Sequence, residues 1–96
     1  MTVNDILVSK WGYEQTNINF YKVIKATNAM VTLQELDIIE FNDEDMSGWE
    51  MPIDKVKGQP FRRKIHTYNN EELVYINSYS IAKVWNKRKQ RYTSYN

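Results

Sequence analysis

The sequence predicts a mainly β domain: a small, strongly bent antiparallel sheet or an SH3-like or OB-like barrel with one short helix. Three observations carry this. β-Branched and aromatic residues alternate with polar ones over several short runs, turn residues fall between those runs, and 96 residues make one domain, 1–96. A barrel is the natural closure because it hides edges that would otherwise pair with neighbouring chains.

Asp5 to Trp11 reads as a first strand, mostly apolar and bounded by Gly12. From Asn17 the chain alternates, with Ile18 and Phe20 on one face and Asn19, Tyr21 and Val23 on the other. Thr27-Asn28-Ala29 supplies a turn, with Asn28 the residue best able to take positive φ. Met30 to Phe41 alternates again but changes its apolar face near Leu36–Ile39, which predicts a bulge or bend that re-aims the strand. Asn42 to Gly58 is acidic and then marked by Gly48, Pro52 and Gly58, so it reads as a long loop with a short extended piece at Trp49–Ile53. Phe61 to Thr67 and Leu73 to Ile76 are strands joined by the turn Tyr68-Asn69-Asn70-Glu71. Tyr79, Ala82 and Trp85 recur at a spacing of three with Ser78 as an N-cap, which favours a helical turn, although strand alternation fits nearly as well. Arg91 to Tyr95 forms a last short strand.

Composition sets further bounds. The chain is 42% hydrophobic and 26% charged, as a folded domain is. A domain of this size has little core to spare, so three Trp, seven Tyr and three Phe supply much of its interior and of any binding face. The absence of cysteine excludes disulfides and thiolate metal sites, in keeping with a reducing cytoplasm. Ile6-Leu7-Val8 is too short for a signal peptide or a membrane span, so a soluble protein without membrane partners is expected.

The net charge of +1 hides a split. Residues 1–54 hold ten acids against three lysines, a balance of −7, and residues 55–96 hold ten bases against Glu71 and Glu72, a balance of +8. Such asymmetry points to nucleic acid or an acidic partner, unless the fold interleaves the halves and cancels the field. The candidate nucleic-acid contacts are Arg62, Lys64, Lys87, Arg88, Lys89 and Arg91 for phosphates, with Trp85 and Tyr92 as stacking faces. The alternative for these bases is a solvated turn that keeps an edge strand soluble. Tyr13, Gln15, Thr16 and Asn17 form a polar step hard to justify by packing, either a hydrogen-bonded corner or a recognition loop.

No enzyme is expected. His66 is the single histidine and no nucleophile, acid–base pair or cofactor motif accompanies it. Asp43, Asp45, Ser47, Gly48 and Asp54 match the spacing of a calcium loop, but the last ligand is Asp, Pro52 intrudes and a strand precedes it, so a solvated acidic loop is the better reading and no metal is assigned.

The run Trp11-Gly12-Tyr13-Glu14-Gln15-Thr16-Asn17, with Phe20-Tyr21-Lys22-Val23, Ser47-Gly48, Pro52, Gly58-Gln59-Pro60 and Arg62-Arg63-Lys64, resembles a family of small phage and prophage proteins of bacteria. Ser78-Tyr79, Ala82, Trp85-Asn86-Lys87, Thr93 and Tyr95 look like the end of the same family. In that family the step after Trp is more usually Asp-Gly, so this turn departs from the pattern. The resemblance covers most of the chain and implies a phage or prophage origin and action in the host cytoplasm, with no established activity and no functional residue to carry over. Two functions follow as expectations: a non-enzymatic accessory protein that binds nucleic acid through its basic C-terminal half, or a module whose acidic half binds a host protein of defence or replication.

Overall fold

A computed structural model describes the backbone of residues 1–12, 17–42, 47–85 and 90–93, and the side chains of 1–12, 17–39 and 51–85. Seven strands make up the fold: β1 (Ile6–Trp11), β2 (Asn17–Ala26), β3 (Met30–Asn42), β4 (Ser47–Tyr68), β5 (Glu71–Asn77), β6 (Ser80–Val84) and β7 (Gln90–Thr93). Each of the first five pairs antiparallel with the next, β6 returns to β1 through Leu7↔Val84, Val8↔Lys83 and Ser9↔Ala82, and β7 pairs with β4. The result is a closed six-stranded antiparallel barrel, a nearest-neighbour meander with no Greek-key crossover. The small barrel expected from the sequence is therefore present.

Closure explains the strand patterns. Leu7, Tyr21, Val23, Val31, Leu33, Val74 and Ala82 point inward and fill the barrel, and Met1, Phe61, Ile65 and Ile76 pack against them. A barrel this narrow has no room for a channel, so side chains occupy its whole interior. Ile18, Phe20 and Leu36 belong to the opposite face, yet they are buried too, packed with Ile6, Val8, Ile38 and Trp85. Trp85 meets Phe20 edge-on at 5.5 Å, its backbone N–H donates to the Ile6 carbonyl, and β7 contacts β2. The segment after β6 thus covers the outside of β1–β2–β3 and creates a second small core.

That second core accounts for the apparent change of face on β3. Val31 and Leu33 face inward, Leu36 and Ile38 face outward, and β3 keeps a regular alternation. The extra residues lie on β4. Leu33 faces Phe61 while Glu35 faces Lys57, and Leu36 faces Val56 while Ile38 faces Pro52, so twice four steps of β4 match two of β3. Gly58 takes φ +75° in the first of these bulges, where a side chain would be strained, and Gln34 Nε2 caps the bulge by donating to the carbonyls of Lys57 and Gly58 at 3.0 and 2.9 Å.

Two expectations are corrected. Residues 47–58 are the first half of a 22-residue bulged strand rather than a loop, because β3 on one side and β7 on the other complete their backbone hydrogen bonds. Ser80–Val84 is a strand and not a helical turn. Ser80 and Ala82 must face inward between β1 and β5, and that tertiary demand overrides the spacing of three; the described residues contain no helix. At Thr27–Ala29 the turn holds as expected, but Asn28 keeps a negative φ, and the Thr27 hydroxyl accepts from the amides of Ala29 and Met30 instead. No helix is long and apolar enough to cross a membrane among the described residues.

Asn69 and Asn70 take φ +52° and +64°, the two-residue turn that suits the twist of a hairpin, and Tyr68↔Glu71 closes it. Asn70→Ala should destabilise the domain by about 1 kcal/mol in urea unfolding, since alanine meets the left-handed penalty that asparagine partly escapes. Asn70→Gly should be neutral or stabilising.

Candidate nucleic-acid interface

The bases predicted to form one patch fall in different places. Arg62 and Lys64 project from the outer face of β4 and are exposed. Thr32 pairs with both Lys25 and Arg62, and Met30 pairs with Lys64. Partners in a ladder share a face, so Lys25, Arg62 and Lys64 stand on one face, where Lys25 and Arg62 line a hollow of about 390 Å³ with Thr27, Met30 and Thr32. Neither Lys25, Arg62 nor Lys64 has a carboxylate within ion-pair distance among the described residues. Three other lysines are matched: Lys55 to Asp37 at 3.7 Å, Lys57 to Glu35 at 3.9 Å and Lys83 to Glu71 at 3.3 Å.

Arg91 and Tyr92 lie on β7, opposite Trp49 and Gly48. The register carries β7 to the far half of β4, on the order of 30 Å or more from Arg62 at ~3.3 Å per strand residue. This region holds the acids of the first half: Asp37 and Glu40 on β3, and Glu50 and Asp54 on β4, with Glu40 and Glu50 as register partners. Lys87, Arg88 and Lys89 lie outside the described residues, as do Tyr13, Gln15 and Thr16. Trp85 is half-buried against Phe20 in the second core, so its ring is engaged in packing.

The aromatic beside Arg62 and Lys64 is one that the sequence reading passed over. Tyr75 follows Val74, the partner of Ile65, and its exposed ring meets His66 at 4.9 Å on the side of β4 that carries Lys64. It is 49% exposed, and its partner on β6, Ile81, is 41% exposed. The signal was available: Val74 and Ile76 alternate with Tyr75, which must face outward if its neighbours fill the barrel.

The calcium spacing is overturned by the same strand. Ser47 to Asp54 is extended, which separates its ends by on the order of 20 Å at ~3.3 Å per residue, too far to share one cation. No group of three His, Cys, Asp or Glu residues placed to hold a metal occurs among the described residues.

At the rim where β1 passes to β2 a second set of polar residues gathers. Trp11 Nε1 donates to Asn19 Oδ1 at 2.5 Å, and Asn19 Nδ2 donates to Glu35 Oε2 at 3.1 Å. Trp11 leans on Tyr79 at 5.3 Å, and Tyr79 is 65% exposed. Arg63 turns inward, its guanidinium 4.6 Å over the Phe61 ring and its Nε donating to the Ile76 carbonyl at 3.1 Å. Asn17 begins β2 on this rim, half-buried, opposite Trp11. Below them lies Tyr21, nearly buried, whose hydroxyl forms no hydrogen bond among the described residues. Burial pushes the Tyr21 phenol up to about 12; the Glu35 carboxylate adds to the rise, Arg63 opposes it and Tyr79 adds to it.

No protein-family model, curated protein or solved structure matches this chain.

Tyr21→Phe should leave stability at neutral pH unchanged or higher, because the substitution removes a buried hydroxyl without a described partner. The native protein should lose stability as pH rises from about 10 to about 12. Over that range the unfolded chain releases the phenolic proton while the folded chain keeps it. Denaturant midpoints across that range should fall in the native protein and fall less in the variant.

Proposed function

We propose that this chain is a non-enzymatic accessory protein of phage or prophage origin that binds nucleic acid through the outer face of its barrel. The observation that carries the reading is the cluster of Lys25, Arg62 and Lys64, unmatched by described carboxylates and flanked by the exposed ring of Tyr75. Cations at this spacing neutralise neighbouring phosphates, and an exposed ring beside them gives an unpaired base a stacking surface. Single strands suit the face better than duplex. The convex barrel presents no helix to a major groove, and the projecting β3–β4 ribbon carries Asp37, Glu40, Glu50 and Asp54, which repel phosphate. The phage origin rests on the sequence resemblance alone.

Three phosphate contacts give a salt slope of about −2 for a single strand. Arg62→Glu with Lys64→Glu should weaken binding of a single-stranded oligonucleotide by at least ~10-fold and flatten that slope, whereas Arg91→Glu should change neither by more than about 2-fold. Fluorescence anisotropy over a range of salt concentrations reads both. Absence of binding at low salt excludes this function.

A second reading has its own support. The acids on β3 and β4 stand apart from the cationic face, as a surface for a basic host protein requires. In that case capture of a host factor should be lost on charge reversal at Asp37 and Asp54 and should survive Arg62→Glu. Indifference to the acid reversal removes this alternative.

A further inference from the structure

We propose that the rim of the barrel is a pocket for a single nucleobase, with guanine the base whose edge it fits; this rests on the nucleic-acid reading above. Five residues from four strands and a turn converge there: Trp11 from β1, Tyr21 from β2, Glu35 from β3, Arg63 from β4 and Tyr79 from the β5–β6 turn. Among the described residues the Tyr21 hydroxyl and Glu35 Oε1 have no hydrogen-bond partner, and the Tyr79 ring is exposed.

Tyr79 is held by its backbone, where its N–H donates to Asn77 Oδ1 at 3.2 Å, while its ring stays 65% exposed against Trp11. Trp11 is fixed in turn by its hydrogen bond to Asn19. Tyr79 thus offers an exposed ring at the end of the barrel, braced by the tilted ring of Trp11, on which a planar base can stack. Tyr21 supplies the second, independent observation. It is only 6% exposed, its hydroxyl has no hydrogen-bond partner among the described residues, and it lies where the charges of Glu35 and Arg63 both reach it. A buried donor without a partner is costly, so a site that leaves one facing a charged rim is built to receive an acceptor.

The donor and acceptor order selects the base. Glu35 Oε2 accepts from Asn19 and lies 3.9 Å from Lys57, while Oε1 has no partner among the described residues. The guanidinium of Arg63 is oriented by its bonds to the carbonyls of Ile76 and Arg62. A carboxylate beside a phenol and a guanidinium presents acceptors next to donors. Guanine offers the complement on one edge, with its two adjacent N–H groups to Glu35 and its carbonyl oxygen to Tyr21 or Arg63. Adenine offers no N–H on its ring nitrogen, and thymine only one. The pocket also joins the cationic face: Arg62 and Arg63 are neighbours on β4, one side chain outside and one inside.

The test is a single-stranded oligothymidine compared with versions carrying one central guanine or one central hypoxanthine, which lacks the exocyclic amine. Anisotropy gives affinity, and tryptophan emission in native and Trp11→Phe protein reports on the rim. The guanine strand should bind roughly 10-fold tighter than oligothymidine, with the hypoxanthine strand between them. Glu35→Gln and Tyr79→Ala should abolish that preference while leaving the oligothymidine affinity and its salt slope intact. Equal affinity for guanine and hypoxanthine strands, or a preference that survives Glu35→Gln, overturns the pocket and leaves the cationic face standing. If none of the strands binds at low salt, both readings fall together. The comparison of strands on native protein stands even if a variant misfolds.

Discussion

The return of β6 onto β1 is the constraint on which the rest of this structure depends. Three register pairs and the buried contact of the Ser9 and Ser80 hydroxyls at 2.5 Å join the two ends of the meander. Without that seam the chain would be an open sheet with two free edges, exposed to pairing with other chains. With it, every residue of six strands acquires an inside or an outside, and a narrow interior takes only the side chains that fill it. Ala82 is fully buried at the seam because Leu7, Val74 and Tyr21 already occupy the space around it.

From that division follow both the second core and the placement of charge. The outside of β1–β2–β3 carries Ile18, Phe20 and Leu36, an apolar surface too large to leave in water, and Trp85 and β7 lie over it. Covering this surface takes the chain to the far half of β4, where β7 adds a strand beside acidic residues. The cations on the other side of the barrel are left without those carboxylates. The opposed charges of the two halves are thus sorted in part: three lysines are neutralised, and Lys25, Arg62 and Lys64 are not.

Much of the barrel was legible in the sequence, since alternation and turn residues report directly on strands that have one wet face. The β2–β3 hairpin, the Asn69–Asn70 turn and the strands on either side of it were read from those signals alone. Two elements were not. β6 has only five residues and two neighbours, so its pairing depends on partners distant in sequence, and the spacing of Tyr79, Ala82 and Trp85 mimics a helix. β4 contains Pro52, Gly58 and Pro60, the marks of a loop. They are tolerated at two bulges whose existence depends on the length of β3 opposite. The site was legible at Arg62 and Lys64 but not at Lys25 or Tyr75, which join them only through cross-strand register. Trp85 showed aromatic character without showing that Phe20 already claims its ring.

On the proposed reading the small barrel serves as a scaffold. One wall bears unmatched cations, its rim bears aromatic and polar groups, and its acids are set aside on a ribbon. Mapping the amide shifts of the labelled protein during titration with a single-stranded oligonucleotide tests this directly. The account expects the largest changes at Lys25, Arg62, Lys64 and Tyr75, continuing to the rim at Trp11 and Tyr79, with β3 and β4 from 37 to 54 unmoved. Changes centred on those acidic residues, or spread evenly over the barrel, would contradict it.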